Sequence, residues 1–347
     1  MAVLAATLSG CMTFGSSRLQ TDQVDYARAL AEAQKRQTLS NIVGLRYADP
    51  PATLPVSSVI AAYSFDGSAN ASASLSTQNN APTTGGIGAG VGFSTRPTFT
   101  FTPITGEDYA TAYIRPLAPS LVLPLIQSGV PIDVLFRLVV QSVGDLQNSA
   151  ALSGASSAGD VGFFQLIQVL RRLQLQGMLT MRLESGASGM RVFMAMEPGD
   201  DGSKEAVADA ELARRLLKVA PGTKEVEIVY GSLEERGARV PIITRSVTGM
   251  LTEVGAQIEV PQQDIDDGTT LTTVARLEIE RRAVAVIHVG QHVPREAWIS
   301  IERDGRAFWI DRRDFDSKFA FSVLMNLTAL AQSDRERGGP VVTIPAY

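Results

Sequence analysis

Chemistry needs nucleophiles, ligands or acid–base pairs, and this chain of 347 residues holds few of them. It has one cysteine, Cys11, so no disulfide within the chain is available to it. It has two histidines, His288 and His292. Their spacing of four suits one face of a helix, yet Ala283-Val284-Ala285-Val286-Ile287-His288-Val289 reads as a strand. Zinc takes three or four protein ligands, and two histidines do not supply them. Ser–His or Cys–His nucleophilic catalysis has equally little to draw on. Carboxylates cluster twice. Asp264, Asp266 and Asp267 fall in an expected loop. Asp311, Asp314 and Asp316 lie among Arg312, Arg313 and Lys318. Neither cluster has the twelve-residue calcium-loop pattern with its closing Glu. The second reads as a salt-bridged turn at the start of the last helix, where Asp316 meets the positive end of the helix dipole. Gly88, Gly90 and Gly92 make Gly-x-Gly-x-Gly, but they alternate inside a strand pattern and open no helix, as a dinucleotide fingerprint requires. No catalytic residue, metal or cofactor is expected.

The cysteine has a context of its own. Leu8-Ser9-Gly10-Cys11 follows the apolar run from Met1 to Thr7. This resembles the lipobox of bacterial lipoproteins, whose processing removes the segment before the cysteine and attaches lipid to it. The resemblance implies a protein anchored outside the cytoplasm, with Cys11 as the lipidation site and the bilayer as a partner. Several acyl chains hold a membrane far more firmly than one. Met12 rather than Asp at the next position implies the outer membrane. An export signal also carries a basic region and an apolar stretch of about 7–15 residues. The apolar lead here is short and lacks Lys or Arg, so the expectation is that the true start lies upstream.

Composition narrows the remaining classes. An apolar content of 45% with 19% charged residues belongs to a folded chain. With 31 basic against 36 acidic residues, the net charge is -5, and nucleic-acid binding, which rests largely on neutralising phosphates, is not expected. No apolar run reaches the 18 or so residues of a membrane helix. Anchoring must therefore come from lipid, from β-strands or from a partner.

Periodicity predicts the elements. Residues 1–11 are the signal remnant and 12–21 a polar tether. A weakly amphipathic helix covers about 22–45 and breaks at Asp49-Pro50-Pro51. Residues 61–78 then alternate strictly. Tyr63, Phe65 and Leu75 belong to one set, and Ser64, Asp66, Asn70 and Ser72 to the other. After an Asn/Pro/Gly turn, Ile87, Val91, Phe93, Phe99 and Phe101 continue the apolar set opposite Gly, Ser and Thr. Period two puts the sets on opposite faces of a strand. Residues 61–102 are thus predicted to form an amphipathic hairpin with arms of roughly 55 Å at about 3.3 Å per residue. Typical strands hold only about 5–6 residues.

Further on, helices are predicted at the Thr105-Gly106-Glu107-Asp108 start, over 119–127, and from Ile132 to about Gln147 behind Pro131. The Ser/Ala/Gly-rich stretch 148–160 is the expected boundary. Beyond it the pattern gives helices near 160–176, 205–219, 247–257 and 317–331. Strands are predicted near 178–184, 190–197, 225–230, 240–244, 277–279, 283–289, 298–302 and 307–311, the last two joined by an Asp304-Gly305 turn. The fold class is α+β: a helical N-terminal half, 12–148, carrying the long hairpin, then a mixed α+β domain over 160–335 and a tail over 336–347.

Several blocks together resemble an uncharacterised family of Gram-negative bacterial lipoproteins of the outer-membrane type, over about residues 34–332. They are Asn41-Ile42-Val43-Gly44-Leu45-Arg46-Tyr47-Ala48-Asp49-Pro50, Val56-Ser57-Ser58-Val59, Arg96-Pro97-Thr98 through Thr105-Gly106-Glu107-Asp108, and Trp309-Ile310-Asp311-Arg312-Arg313-Asp314 through Ser317-Lys318. The resemblance implies an exported lipoprotein facing the periplasm and supplies no activity.

Three functions compete. In the first, the chain is a non-enzymatic structural or assembly component of the envelope, with Tyr63, Phe65, Leu75, Val91, Phe93, Phe99 and Phe101 forming a surface that meets other copies, an envelope complex or lipid. A closed barrel is the one sheet that lipid tolerates. In the second, it is a monomeric periplasmic binding or adaptor module whose hairpin folds over its own helices. The third is an envelope enzyme, disfavoured by the missing nucleophile–base set.

Overall fold

Apolar spacing decides where the first helix becomes part of a core. The computed structural model describes residues 14–52, 56–73, 85–101, 104–151, 158–186, 189–197, 202–231 and 237–333. Helix α1 spans Phe14–Arg46, so it begins inside the stretch expected to be a tether. From Val24 onward its burial is concentrated at the end, where Leu39, Ile42 and Val43 are fully enclosed. Strands β1 (Val56–Ala73) and β2 (Gly85–Phe101) pair antiparallel as a sheet of two.

Helix α2 (Gly106–Tyr109) runs into a π-helical turn, Ala110–Ile114. Helix α3 (Pro119–Val122) continues as a 3₁₀ turn, Leu123–Ile126. Helix α4 is Ile132–Val139, far shorter than the helix expected to reach residue 147. Two strands take its predicted second half, β3 (Val140–Val143) and β4 (Leu146–Gln147). The apolar face Ile132, Leu135, Phe136 and Val139 keeps its helical spacing and is buried. Past it, β-branched residues at 140 and 143 suit a strand, Gly144 turns the chain at φ 61°, and β3 pairs with a strand almost a hundred residues away.

Helix α5 (Val161–Leu175) buries Phe163, Phe164, Ile167, Leu170 and Leu173. Strands β5 (Leu179–Gly186) and β6 (Gly189–Met196) form a hairpin. Helix α6 (Lys204–Leu216) is capped by the Ser203 hydroxyl, which accepts from the Ala206 N–H at 3.1 Å. Strands β7 (Glu225–Tyr230) and β8 (Arg239–Thr244) are parallel, and every other pairing in their sheet is antiparallel. The six strands run β4-β3-β8-β7-β6-β5.

Helix α7 (Val247–Ala256) packs against α1, and helix α8 (Gln262–Asp266) holds the first acidic cluster, where a loop was expected. The strand expected at 277–279 is a 3₁₀ turn at Glu278–Glu280. That expected at 283–289 is strand only at its end, β9 (His288–Gly290). The reason lies in the hydrogen bonds. The N–H of Val284 donates to the side-chain Oε1 of Gln257 at 3.2 Å, and that of Val286 to the Ser317 hydroxyl at 2.7 Å. Ala283, Val284, Ala285 and Ile287 are all buried, so the segment is core without being ladder.

Strands β10 (Ala297–Arg303) and β11 (Arg306–Asp311) form the expected hairpin, and β11 also pairs with β9. Asp304 and Gly305 both have positive φ, as a two-residue type I′ turn demands. Helix α9 (Phe315–Ser333) closes the described chain. The architecture is mixed α+β. Two compact units emerge: residues 1–52 with 107–347, and residues 53–106. The described residues 148–151 and 158–160, on either side of the expected boundary, lie within the first, where β3 and β5 to β8 share one sheet.

Candidate functional site

The residues predicted as an assembly surface fall in the smaller unit. Tyr63 and Phe65 are on β1; Ile87, Val91, Phe93, Phe99 and Phe101 are on β2. Leu75 and the lipidation candidate Cys11 lie outside the described residues. The register sets Phe65 opposite Phe93, Tyr63 opposite Thr95, Gly67 opposite Val91 and Val59 opposite Phe99. From Ser58 to Ala73 each odd-numbered position of β1 meets an odd-numbered position of β2, and even meets even. Near the open end the register shifts between Val56 and Ser58, which sets Val56 opposite Phe101. Gly88, Gly90 and Gly92 are strand residues, opposite Asn70, Ser68 and Asp66.

In the larger unit the polar residues gather at the end of α1. The N–H groups of Tyr47 and Asp49 both donate to the Gly44 carbonyl at 2.9 Å, and Ala48 turns the chain with φ 62°. Asn41 pins the returning segment by exchanging two hydrogen bonds with the backbone of Ala52, at 2.9 and 3.0 Å. Arg46 and Tyr47 are thereby set against the loop after α8 and the β10–β11 turn.

Tyr47 donates its hydroxyl to Asp264 at 2.7 Å, and Arg306 pairs with the same carboxylate oxygen. The Arg306 guanidinium holds the Asp264 carboxyl below its usual range, against the opposing effect of burial. Burial, then the hydrogen bond to Asp264, pushes the Tyr47 hydroxyl up to about 12. Arg303 lies 5.0 Å above the Tyr47 ring and pairs with Asp49. The rings of Tyr47 and Phe308 meet edge to face, with centres 6.2 Å apart. These groups line a cleft of about 400 Å³. On the other side of Tyr47, a larger cavity of about 620 Å³ opens between the end of α1, α7 and residues 268–274.

The histidines stand apart from this. His288 is exposed and stacks on Trp309, ring centres 5.5 Å apart, and His292 is exposed. Among the described residues no group of three or more His, Cys, Asp or Glu is placed to hold a metal ion. Of the second acidic cluster, Asp314 rather than Asp316 caps the last helix: it accepts from the Ser317 N–H at 3.1 Å and pairs with Arg282. That arginine is distant in sequence, so the neighbours Arg312, Arg313 and Lys318 pointed to the wrong partner.

Sequence reasoning placed no chemistry at Arg46, Tyr47 or Arg306. An arginine closing a helix reads as compensation of the helix dipole. The reversal after Arg46 sets the Tyr47 hydroxyl on Asp264, and the β10–β11 turn sets Arg306 there. Among the described residues no helix is long and apolar enough to cross a membrane. No protein-family model matches the chain, and neither a curated protein nor a solved structure matches it.

Proposed function

We propose that this chain is an exported lipoprotein of the Gram-negative type, anchored through Cys11 at the outer membrane and facing the periplasm, and that it acts as a structural or assembly component of the envelope. In this reading the hairpin is amphipathic and joins neighbouring copies into a homo-oligomer. One observation carries the assembly reading. Strands of 18 and 17 residues pair with each other and, among the described residues, with no third strand. Each leaves a full row of backbone donors and acceptors on its outer edge, and such edges invite pairing with another chain. An isolated two-stranded hairpin is at best marginally stable in water. The register supports the same reading, because it keeps the apolar-alternating positions of β1 opposite those of β2. Hairpins added side by side from several copies would satisfy both edges.

The test is the mass of the full chain extracted in mild detergent, measured by light scattering. The expected result is a stable multimer. Replacing both Phe93 and Phe99 by Asp disperses it, because charges then enter a contact without partners. Asp at Ser72 or Thr100, in the alternate set, leaves it assembled. A wild type that is monomeric at every accessible concentration overturns the assembly reading in favour of a monomeric adaptor.

A further inference from the structure

Among the described residues two of the three buried arginines make several hydrogen bonds and face a carboxylate, and the third does not. Arg245 donates to the carbonyls of Arg137 and Leu138 at 2.8 and 3.2 Å and faces Glu253. Arg214 donates to the carbonyls of Thr223 and Met196, both at 2.7 Å, and to Glu211. Arg46 is as buried as these, at 7% exposure. Among the described residues its guanidinium makes one hydrogen bond, from Nη2 to the Thr273 hydroxyl at 3.1 Å, and no ion pair. Its Nε is buried with no partner. The nearby Asp264 is already engaged by Arg306 and Tyr47. A guanidinium carries five donors and stays charged. Leaving such a group buried and under-used costs stability unless something else completes it.

Arg46 lines the cavity of about 620 Å³, a size within the range of small-molecule sites. The rest of the lining has two characters. The hydroxyls of Thr252 and Thr270 already donate to the carbonyls of Thr248 and Arg46, so Thr272 is the exposed hydroxyl on the wall, while Leu45, Ala256 and Val274 offer apolar surface. Leu271, also on the wall, is 68% exposed. No carboxylate among the lining residues except Asp49 opposes an anion, and Asp49 is paired with Arg303. The carboxyl end of α1 adds partial negative charge, a weaker effect than a full guanidinium out of water.

We propose that this cavity binds a small organic carboxylate with an apolar body, the carboxylate pairing with Arg46 and the body lying on the apolar wall. The pairing supplies the charge-assisted hydrogen bonds that Arg46 lacks. All the lining residues belong to the larger unit.

Calorimetric titration of the full chain with 4-phenylbutanoate, 4-phenylbutan-1-ol and 4-phenylbutylamine tests it. The carboxylate should bind about ten-fold or more tightly than the alcohol, as the loss of a charge-assisted bond implies, and the amine should not bind. Arg46→Gln should bring the carboxylate down to the affinity of the alcohol. Should that variant fail to fold, Thr272→Glu places a negative charge on an exposed part of the wall and should weaken the carboxylate about ten-fold; Thr272→Gln should not. Equal affinity for carboxylate and alcohol overturns the proposal. So does carboxylate binding unchanged in folded Arg46→Gln or in Thr272→Glu, and so does the absence of binding by 4-phenylbutanoate up to its solubility.

Discussion

Arg245 and Glu253 face each other inside the protein, with Nη2 of the arginine 3.4 Å from Oε2 of the carboxylate and both side chains buried. Arg245 directly follows β8 and Glu253 lies in the second turn of α7. The Ser149 hydroxyl donates to Glu253 at 2.5 Å, and Arg245 reaches the carbonyls that end α4. The pair therefore ties sheet, helix and the segment after β4 at one point. Burial lowers the Arg245 pKa and Glu253 opposes that shift.

Glu253→Leu should therefore destabilise the protein by about 3–5 kcal/mol, because it strands a buried guanidinium. The double change Arg245→Met with Glu253→Leu should cost much less than the sum of the single changes, since both charges leave together. Chemical denaturation of the four proteins measures this. Additive single effects would show that the two groups are not coupled.

Close helix packing gives a second test. A Cβ built on Gly255 would lie 2.7 Å from the carbonyl oxygen of Ile42, on α1. Backbone cannot yield as a side chain does. Gly255→Ala should destabilise by roughly 1–3 kcal/mol through overpacking, although Ala is the better helix former by about 1 kcal/mol. Gly249, earlier in α7, meets only side-chain atoms at 3.4 Å. Gly249→Ala should be neutral or stabilising. Thermal unfolding separates the two, and equal effects would refute the contact.

The contrast between these elements explains what the sequence could and could not show. The Asp304-Gly305 turn was legible because a two-residue hairpin needs positive φ at both positions, and that demand is local. The α5 and α7 helices were legible from apolar spacing alone. Residues 140–147 were not. Their apolar pattern continues that of α4, and only pairing with β8 makes them strand. Residues 283–287 misled for a related reason: a run of small and β-branched residues reads as strand, while Gln257 and Ser317 take the hydrogen bonds. Tyr47 and Asp264 are 217 residues apart, and nothing local signals their meeting.

Lipidation gives a prediction from the sequence alone. Cys11 should incorporate radiolabelled palmitate in the cell, and Cys11→Ser should move the protein from membrane to soluble fractions. An unlabelled wild type found in the cytoplasm would sink the proposed anchoring.

The Tyr47–Asp264–Arg306 group should make stability fall at both ends of the pH scale. Arg306 holds the Asp264 carboxyl below its usual value, so the carboxylate gives its full stabilisation above the unfolded value of about 4. That contribution is lost as pH falls through the lowered folded value, because the unfolded chain takes up its proton first. The sign is opposite for Tyr47. Its hydroxyl, raised to about 12 chiefly by burial, stays protonated in the folded state while the unfolded phenol ionises near about 10. The stabilisation is complete below that unfolded value and is lost as pH rises toward the folded one. Asp264→Asn should flatten the acid limb of the stability curve. It should also lower the Tyr47 ionisation, since the carboxylate contributes to the upward shift by hydrogen bond and by charge. Denaturation across pH follows the first effect, and ultraviolet titration of wild type against Tyr47→Phe assigns the second. An acid limb that Asp264→Asn leaves unchanged would mean that the hydrogen bond and ion pair at Asp264 do not contribute to folding.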